Sequence, residues 1–207
     1  MLLESADTRF PRVETLLVES TYGAKEDIQP TREEVEGAFI KSVNEILKGG
    51  GKVLIPIPAV GRAQELMMVI DKYMKSGQLT ESPVFMEGMI QEATAIHEAH
   101  PEYLERSLKQ KILETDDNPF DSEYFTNIEH ADSRDEPLRE DSPCIVIATS
   151  GMLEGGPVLE YFRNFAPDKR NKILFVSYQV NGTLGRRVMD GARQVTCLLY
   201  TSDAADE

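Results

Sequence analysis

The sequence predicts an α/β fold: a Rossmann-like, mostly parallel sheet with helices on both faces. Three observations carry the prediction. Short apolar runs such as 52–57 and 144–148 show no polar alternation, the pattern of strands buried on both faces. Amphipathic stretches at helical spacing separate these runs. Glycine-, hydroxyl- or arginine-containing turns follow the strand ends, where open α/β sheets bind their ligands. At 207 residues the chain is long enough to bury a sizeable core.

Taken in order, Leu16, Leu17 and Val18 suit a strand buried in a sheet, and Glu19 ends it abruptly before Ser20, Thr21, Tyr22 and Gly23. Thr31 and Glu34 form a capping-box signature. Val35, Ala38, Phe39, Val43, Ile46 and Leu47 follow at helical spacing until Gly49, Gly50 and Gly51 stop the helix. A buried strand is expected over 52–57 and a helix over 61–75, with Met67, Met68 and Met74 filling core. A short strand at 84–86 precedes a helix over 89–100 that places Ile90, Ala93, Ile96 and His97 on one face. Pro101 suits the first turn of another helix reaching about Leu113. The stretch 116–141 reads as short elements and loops. Regularity returns with a strand at 144–148, a helix at 156–165, a strand at 173–177 and a helix at 184–191. There is no internal repeat, and the end at 196–207, TCLLYTSDAADE, breaks the pattern and reads as non-native.

Composition narrows the function classes. No run approaches the 18 apolar residues of a membrane span, and the acidic N-terminus lacks the basic region of a signal peptide. The two cysteines, Cys144 and Cys197, have no metal or redox spacing, which fits a reducing, cytoplasmic setting. The net charge of −14 is unevenly spread. Residues 114–141 hold eleven acidic side chains against two arginines, a net of −9, whereas 163–193 carries a net of +5. Screening confines charge effects to about 10 Å, so a basic face on an acidic protein can still meet phosphates.

Four turns gather the candidate site residues: ESTYG at 19–23, PAVGRAQE at 58–65, ATSGMLEGGP at 148–157 and SYQVNGTLGRR at 177–187. Each precedes a helix, so free backbone N–H groups and positive dipole ends would collect on one sheet edge. Such an edge suits a ligand with many phosphates, although glycine and serine are also routine βα-loop residues. The candidates for phosphate contact are Ser20, Tyr22, Gly61, Arg62, Ser150, Gly151, Met152, Asn181, Gly182, Thr183 and Arg186. Arg62 opens a helix, where a positive charge opposes the dipole and a ligand role gains weight. Arg186 and Arg187 share that argument, with a solvated face as the alternative. Glu19 is either a site carboxylate or a cap on its own turn. His97 and His100 stand three apart, workable spacing for a metal, but no HxH or HxxxD cluster accompanies them. No self-sufficient metal site is expected in this chain.

VESTYG, LIPIPAVGRAQELM, ATSGMLEGGPVLEYF and SYQVNGTLGRR, in this order, resemble the β-CASP nucleases of the metallo-β-lactamase superfamily. Within that family the likeness is to archaeal homologues of cleavage and polyadenylation specificity factor, over about residues 2–195. The resemblance implies a partial chain: the end of a metallo-β-lactamase segment, with its strand, at 1–23, a β-CASP domain at 24–195 and the foreign end at 196–207. It implies RNA as partner, further metallo-β-lactamase and KH domains, a possible homodimer, no membrane, and two zinc ions whose HxHxDH ligands lie outside these residues. It makes Glu19 a support for a zinc-ligating histidine. It aligns Arg187 with a position that is histidine in many eukaryotic members, and an arginine stabilises phosphate charge but is a poor general acid.

The implied function is the RNA-clamping part of a zinc-dependent ribonuclease, endo- or exonucleolytic, in mRNA 3′-end processing or transcription termination. The alternative is a non-catalytic RNA-binding or assembly module. A Rossmann-like small-molecule binder would need GxGxxG after the first strand, and residues 19–25 lack it.

Overall fold

The computed structural model of the chain describes residues 1–115, 117–139, 142–192 and 195. At its centre lies one sheet of β1 (Val53–Pro56), β2 (Val84–Glu87), β3 (Phe125–Ile128), β4 (Ile145–Ala148) and β5 (Lys172–Ile173). The spatial order is β3–β2–β4–β1–β5 and every pairing is parallel. Strands β1, β2 and β4 are buried along their whole length, which is why they read as unbroken apolar runs.

Alternate side chains feed two cores. Val53, Ile55, Val84, Met86, Ile145 and Ile147 face α1 (Arg32–Lys48), α2 (Arg62–Lys75), α3 (Ile90–Ala99) and α4 (Arg106–Glu114). Leu54, Phe85, Val146 and Ala148 face α6 (Val158–Phe165) and α7 (Leu184–Met189). The predicted α/β sandwich is therefore present, with a helical layer on each face. The capping box holds as well: Thr31 N donates to Glu34 Oε2 at 2.8 Å, and Thr31 Oγ1 accepts from Glu34 N at 3.3 Å. Met67 and Met74 are core, and Met68 packs against it.

Four expectations need correction. Leu16, Leu17 and Val18 form no strand and are exposed, Leu17 to 93%. A strand needs a ladder, and among the described residues neither sheet edge pairs with 16–18. The single helix expected from Pro101 is a 3-10 turn, Pro101–Tyr103, followed by α4. The N-terminus forces that break, because Leu3 bridges Leu104 and Glu105 N donates to Leu2 O at 3.0 Å. Ile96 points outward; Ile90, Ala93 and Thr94 form the buried face of α3. The acidic stretch holds edge strand β3, a 3-10 turn at Ala131–Arg134 and the one-turn α5 (Asp135–Leu138). Arg134 anchors it by a doubled contact to buried Glu87, which also accepts from Tyr161 Oη at 2.6 Å. Arg193 and the stretch 196–207, with Cys197, lie outside the described residues.

The fourth correction shapes the site. The strand expected over 173–177 stops at Ile173, with one further ladder bond from Leu174 N to Leu54 O at 2.9 Å. The cause is proline parity in IPIP. Odd residues of β1 turn their N–H groups to β4, as Val53 N and Ile57 N donate to Cys144 O and Ala148 O. Even residues face β5: Lys52 O and Leu54 O accept from Lys172 N and Leu174 N. Pro56 and Pro58 occupy that even row and have no N–H to give. The ladder ends, and residues 174–179 leave the sheet.

Loops beyond the strand ends then interlock. The Gln179 side chain is 2% exposed, and its Nε2 donates to Gly151 O at 2.9 Å and Ser177 O at 3.1 Å. Gly185 N donates to Met152 O at 2.9 Å, and Leu184 N to Glu154 Oε1 at 2.5 Å. Gly185 is a glycine because a Cβ there would lie 1.9 Å from Gln179 Oε1. Gly151 packs on the loop of β1, where a Cβ would lie 2.8 Å from Pro58 Cδ.

Two outcomes test this account. Gly185→Ala is expected to lower stability by about 1–3 kcal/mol, the usual cost of overpacking; an unchanged melting temperature would show that the clasp relaxes freely. Pro56→Val restores a donor to the β5 row and should slow amide exchange at residue 176. Unaltered exchange there would refute proline parity as the stop.

Candidate functional site

The departure of 174–179 opens a cleft of about 870 Å³ between the first halves of α1 and α2, closed at one end by α7. That volume lies in the range of small-ligand sites, about 300–1,000 Å³. Its floor is apolar: Phe39, Leu66, Val69, Leu174 and Val176. The apolar stripe of α1 is divided between two tasks. Ile40, Val43 and Leu47 enter the core, Val35 and Ala38 line the cleft, and Phe39 packs between the two.

Three arginines line the cleft, each from the first turn of a different helix and each held by a carboxylate of the same helix. Arg32 Nε lies 2.6 Å from Glu36 Oε1, Arg62 Nη1 3.0 Å from Glu65 Oε2 and Arg186 Nε 3.0 Å from Asp190 Oδ2. Ion pairs this exposed contribute about 0–1 kcal/mol, so they aim the guanidinium groups without locking them. Glu36 is the exception, with a side chain only 10% exposed. Burial pushes its carboxyl up, but hydrogen bonds from Arg32, Lys72 and Tyr73 outweigh this and leave it below the usual carboxylate range. The same contacts, Lys72 Nζ at 3.0 Å and Tyr73 Oη at 3.1 Å, fasten α1 to α2 under the cleft.

Of the residues singled out in the sequence, Tyr22, Arg62 and Arg186 meet at this cleft. The Tyr22 ring packs edge-to-face on Tyr178, with centroids 6.5 Å apart. The others serve the local backbone or stand in solvent. Glu19 is fully exposed and accepts from Thr21 N at 2.5 Å; the hydroxyl and N–H of Thr21 hold its carboxyl below the usual range. That contact is a turn cap. Ser20 O accepts from Gly23 N in the same turn. Gly61, at φ +77°, donates its N–H to Gln64 Oε1 at 2.7 Å. Ser150 Oγ accepts from Glu154 N at 3.1 Å, and Gly151 and Met152 give their carbonyls to the clasp. Asn181 and Gly182 form an exposed tip, and Thr183 caps α7 by accepting from Arg186 N at 3.2 Å. Arg187 is exposed beside the cleft's lining residues rather than among them, and makes no ion pair among the described residues.

Sequence reasoning missed Arg32, Tyr178, Gln64 and Gln179. Arg32 was findable, since it follows the Thr31 cap and opposes the dipole as Arg62 does. Gln64 was not, because its job is long-range: its Nε2 reaches Ala59 O and Thr94 Oγ1 to shape the loop before α2. Among the described residues no three His, Cys, Asp or Glu side chains gather as a metal site. His97 Nδ1 is engaged with Ala93 O at 2.6 Å, and His100 Nδ1 with Glu102 Oε1 at 3.2 Å. The donor set does not fit zinc. Burial pushes the Cys144 thiol up to about 11, which makes it a packing group rather than a nucleophile.

The transcription termination factor FttA of Cenarchaeum symbiosum is 80% identical over 195 residues, 94% of this chain and 30% of the relative. The factors of the same name from Pyrococcus abyssi and Methanocaldococcus jannaschii are 53% and 50% identical over 194 residues, with the same two coverages. The chain thus spans about 30% of the length of the curated relatives it matches. Residues 63–188, from the start of α2 to the end of α7, match the family model described as the Beta-Casp domain. With a parallel five-stranded sheet between two helical layers and that match over most of its length, the chain belongs to the β-CASP family.

Proposed function

We propose that this chain is the RNA-gripping part of a metal-dependent ribonuclease acting in transcription termination or 3′-end processing. The observation that carries the reading is the convergence of Arg32, Arg62 and Arg186 on one cleft. A guanidinium offers a fork of donors that matches phosphate geometry, and an exposed intrahelical tether is easily exchanged for a phosphate. The shared name of the FttA relatives supports termination, where the ligand at hand is a transcript.

In this reading residues 24–195 grip RNA and 1–23 lead out of a metallo-β-lactamase segment, in a cytoplasmic protein. The described residues do not fit a zinc site, so no bond-breaking step is assigned to them. Arg187 supplies charge to a phosphate near the cleft and, always protonated, donates no catalytic proton. Zinc-supported hydrolysis, KH domains and any homodimer belong to the longer protein.

Single-stranded RNA binding across a salt series tests the grip. Arg62→Ala should weaken affinity about tenfold and lower the log–log salt slope by about 0.7, one lost phosphate contact. Glu65→Gln, which frees Arg62, should tighten binding. Unchanged slopes in both variants would remove the cleft from the RNA path. The 207-residue chain supplied with zinc should leave RNA intact, and metal-dependent turnover would refute the division of labour.

A further inference from the structure

We propose that the cleft seats an unstacked nucleobase of the bound RNA, with Tyr178 as its stacking surface and the arginines at the rim holding the flanking phosphates. This rests on the RNA reading above and adds a specific place for a base.

The balance of charge and apolar surface points there. Three arginines line the cleft against Glu36 and Glu65, and Arg186 is further offset by Asp190. So even a balance makes a poor track for a run of phosphates. Phe39, Leu66 and Val69 beneath it are worse, since a phosphate over an apolar floor loses water and gains no partner. A base does the reverse: its faces take apolar contact while its own phosphates remain outside.

The aromatic pair agrees. Tyr22 and Tyr178 meet edge-to-face at an interplanar angle of 83°, yet each remains about half exposed, 53% and 50%. Single-stranded nucleic acids are held by a basic groove combined with aromatic rings on which bases stack. The volume of about 870 Å³ admits one or two nucleotides and excludes a duplex.

The test compares, on the full chain, a short oligouridylate with a ribose-phosphate backbone of equal length that carries no bases. The intact oligomer is expected to bind wild type at least tenfold more tightly. Tyr178→Ala should abolish that preference while leaving the salt slope and melting temperature unchanged, and Tyr178→Phe should retain it. Arg62→Ala should weaken both ligands alike and lower the slope. Equal wild-type affinity for the two ligands, with Arg62→Ala still weakening both, overturns the base slot and leaves the RNA reading standing. Preference that is present in this chain but lost in the longer protein also overturns it, since the cleft is then filled from within. Absence of any RNA binding overturns the RNA reading itself.

Discussion

Two prolines without amide hydrogens decide the working edge of this molecule. β1 must satisfy β4 on one side and β5 on the other, and its N–H groups alternate between them. With Pro56 and Pro58 both in the β5 row, the central pairing with β4 runs its full length while the pairing with β5 fails after Leu174. The sheet loses about two bonds, each of modest net worth at about 0.5–1.5 kcal/mol. In exchange, a stretch of chain that would have finished an edge strand becomes the wall of a cleft. The same Pro58 meets Gly151, so the residue that ends one ladder also seats the neighbouring loop.

Release alone would leave 174–185 a loose excursion, and the clasp around Gln179 prevents that. One buried amide joins Gly151 and Ser177, Met152 receives the N–H of Gly185, and Glu154 receives that of Leu184. Backbone that has left a sheet must find its partners elsewhere, and here it finds them in the loop after β4. The consequence is a division between rigid loops and movable charges. The glycine and serine motifs are consumed in fixing the architecture, whereas Arg62 and Arg186 sit on exposed, weak tethers. Loops so fixed place these two donors accurately, and tethers so weak leave them free to exchange partners.

Much of the fold was legible because it follows from local rules. Doubly buried strands, the Thr31 cap, the Gly49–Gly51 stop and the methionine core of α2 all announce themselves in composition and period. What failed was nonlocal. Leu16–Val18 has the composition of a strand but no ladder to join among the described residues, and Ile173–Ser177 has the composition but a neighbour that cannot donate. The parity of Pro56 and Pro58 was in plain view as IPIP; only the register against β4, Val53 opposite Ile145, reveals which neighbour it starves. The lining of the cleft was legible in half for a related reason. Arg62 and Arg186 could be named from their position against helix dipoles. Gly151, Met152 and Thr183, chosen by the same motif reading, proved to be holding loops and caps together. A motif marks where the chain is constrained and does not say whether a ligand or the backbone imposes the constraint.

Helix α1 offers a way to separate the two. Its apolar positions run from Val35 to Leu47, a stripe too broad for the single core it faces. Ile40, Val43 and Leu47 are buried in that core, Phe39 packs against it while also lining the cleft, and Val35 and Ala38 are left over with Glu36 set among them. Burying a carboxylate in such a stripe is costly unless it is paired, and Glu36 is paired three times, twice to residues of α2. The polar interruption therefore fixes the spacing of the two helices, and the surplus apolar residues line the gap it sets. Amphipathic width beyond what the core consumes marks the cleft here, and it is independent of any motif. Leu16, Leu17 and Val18, a few residues before Tyr22 in sequence, are likewise exposed and apolar, so the residues leading towards the cleft present an apolar surface that the sheet does not use.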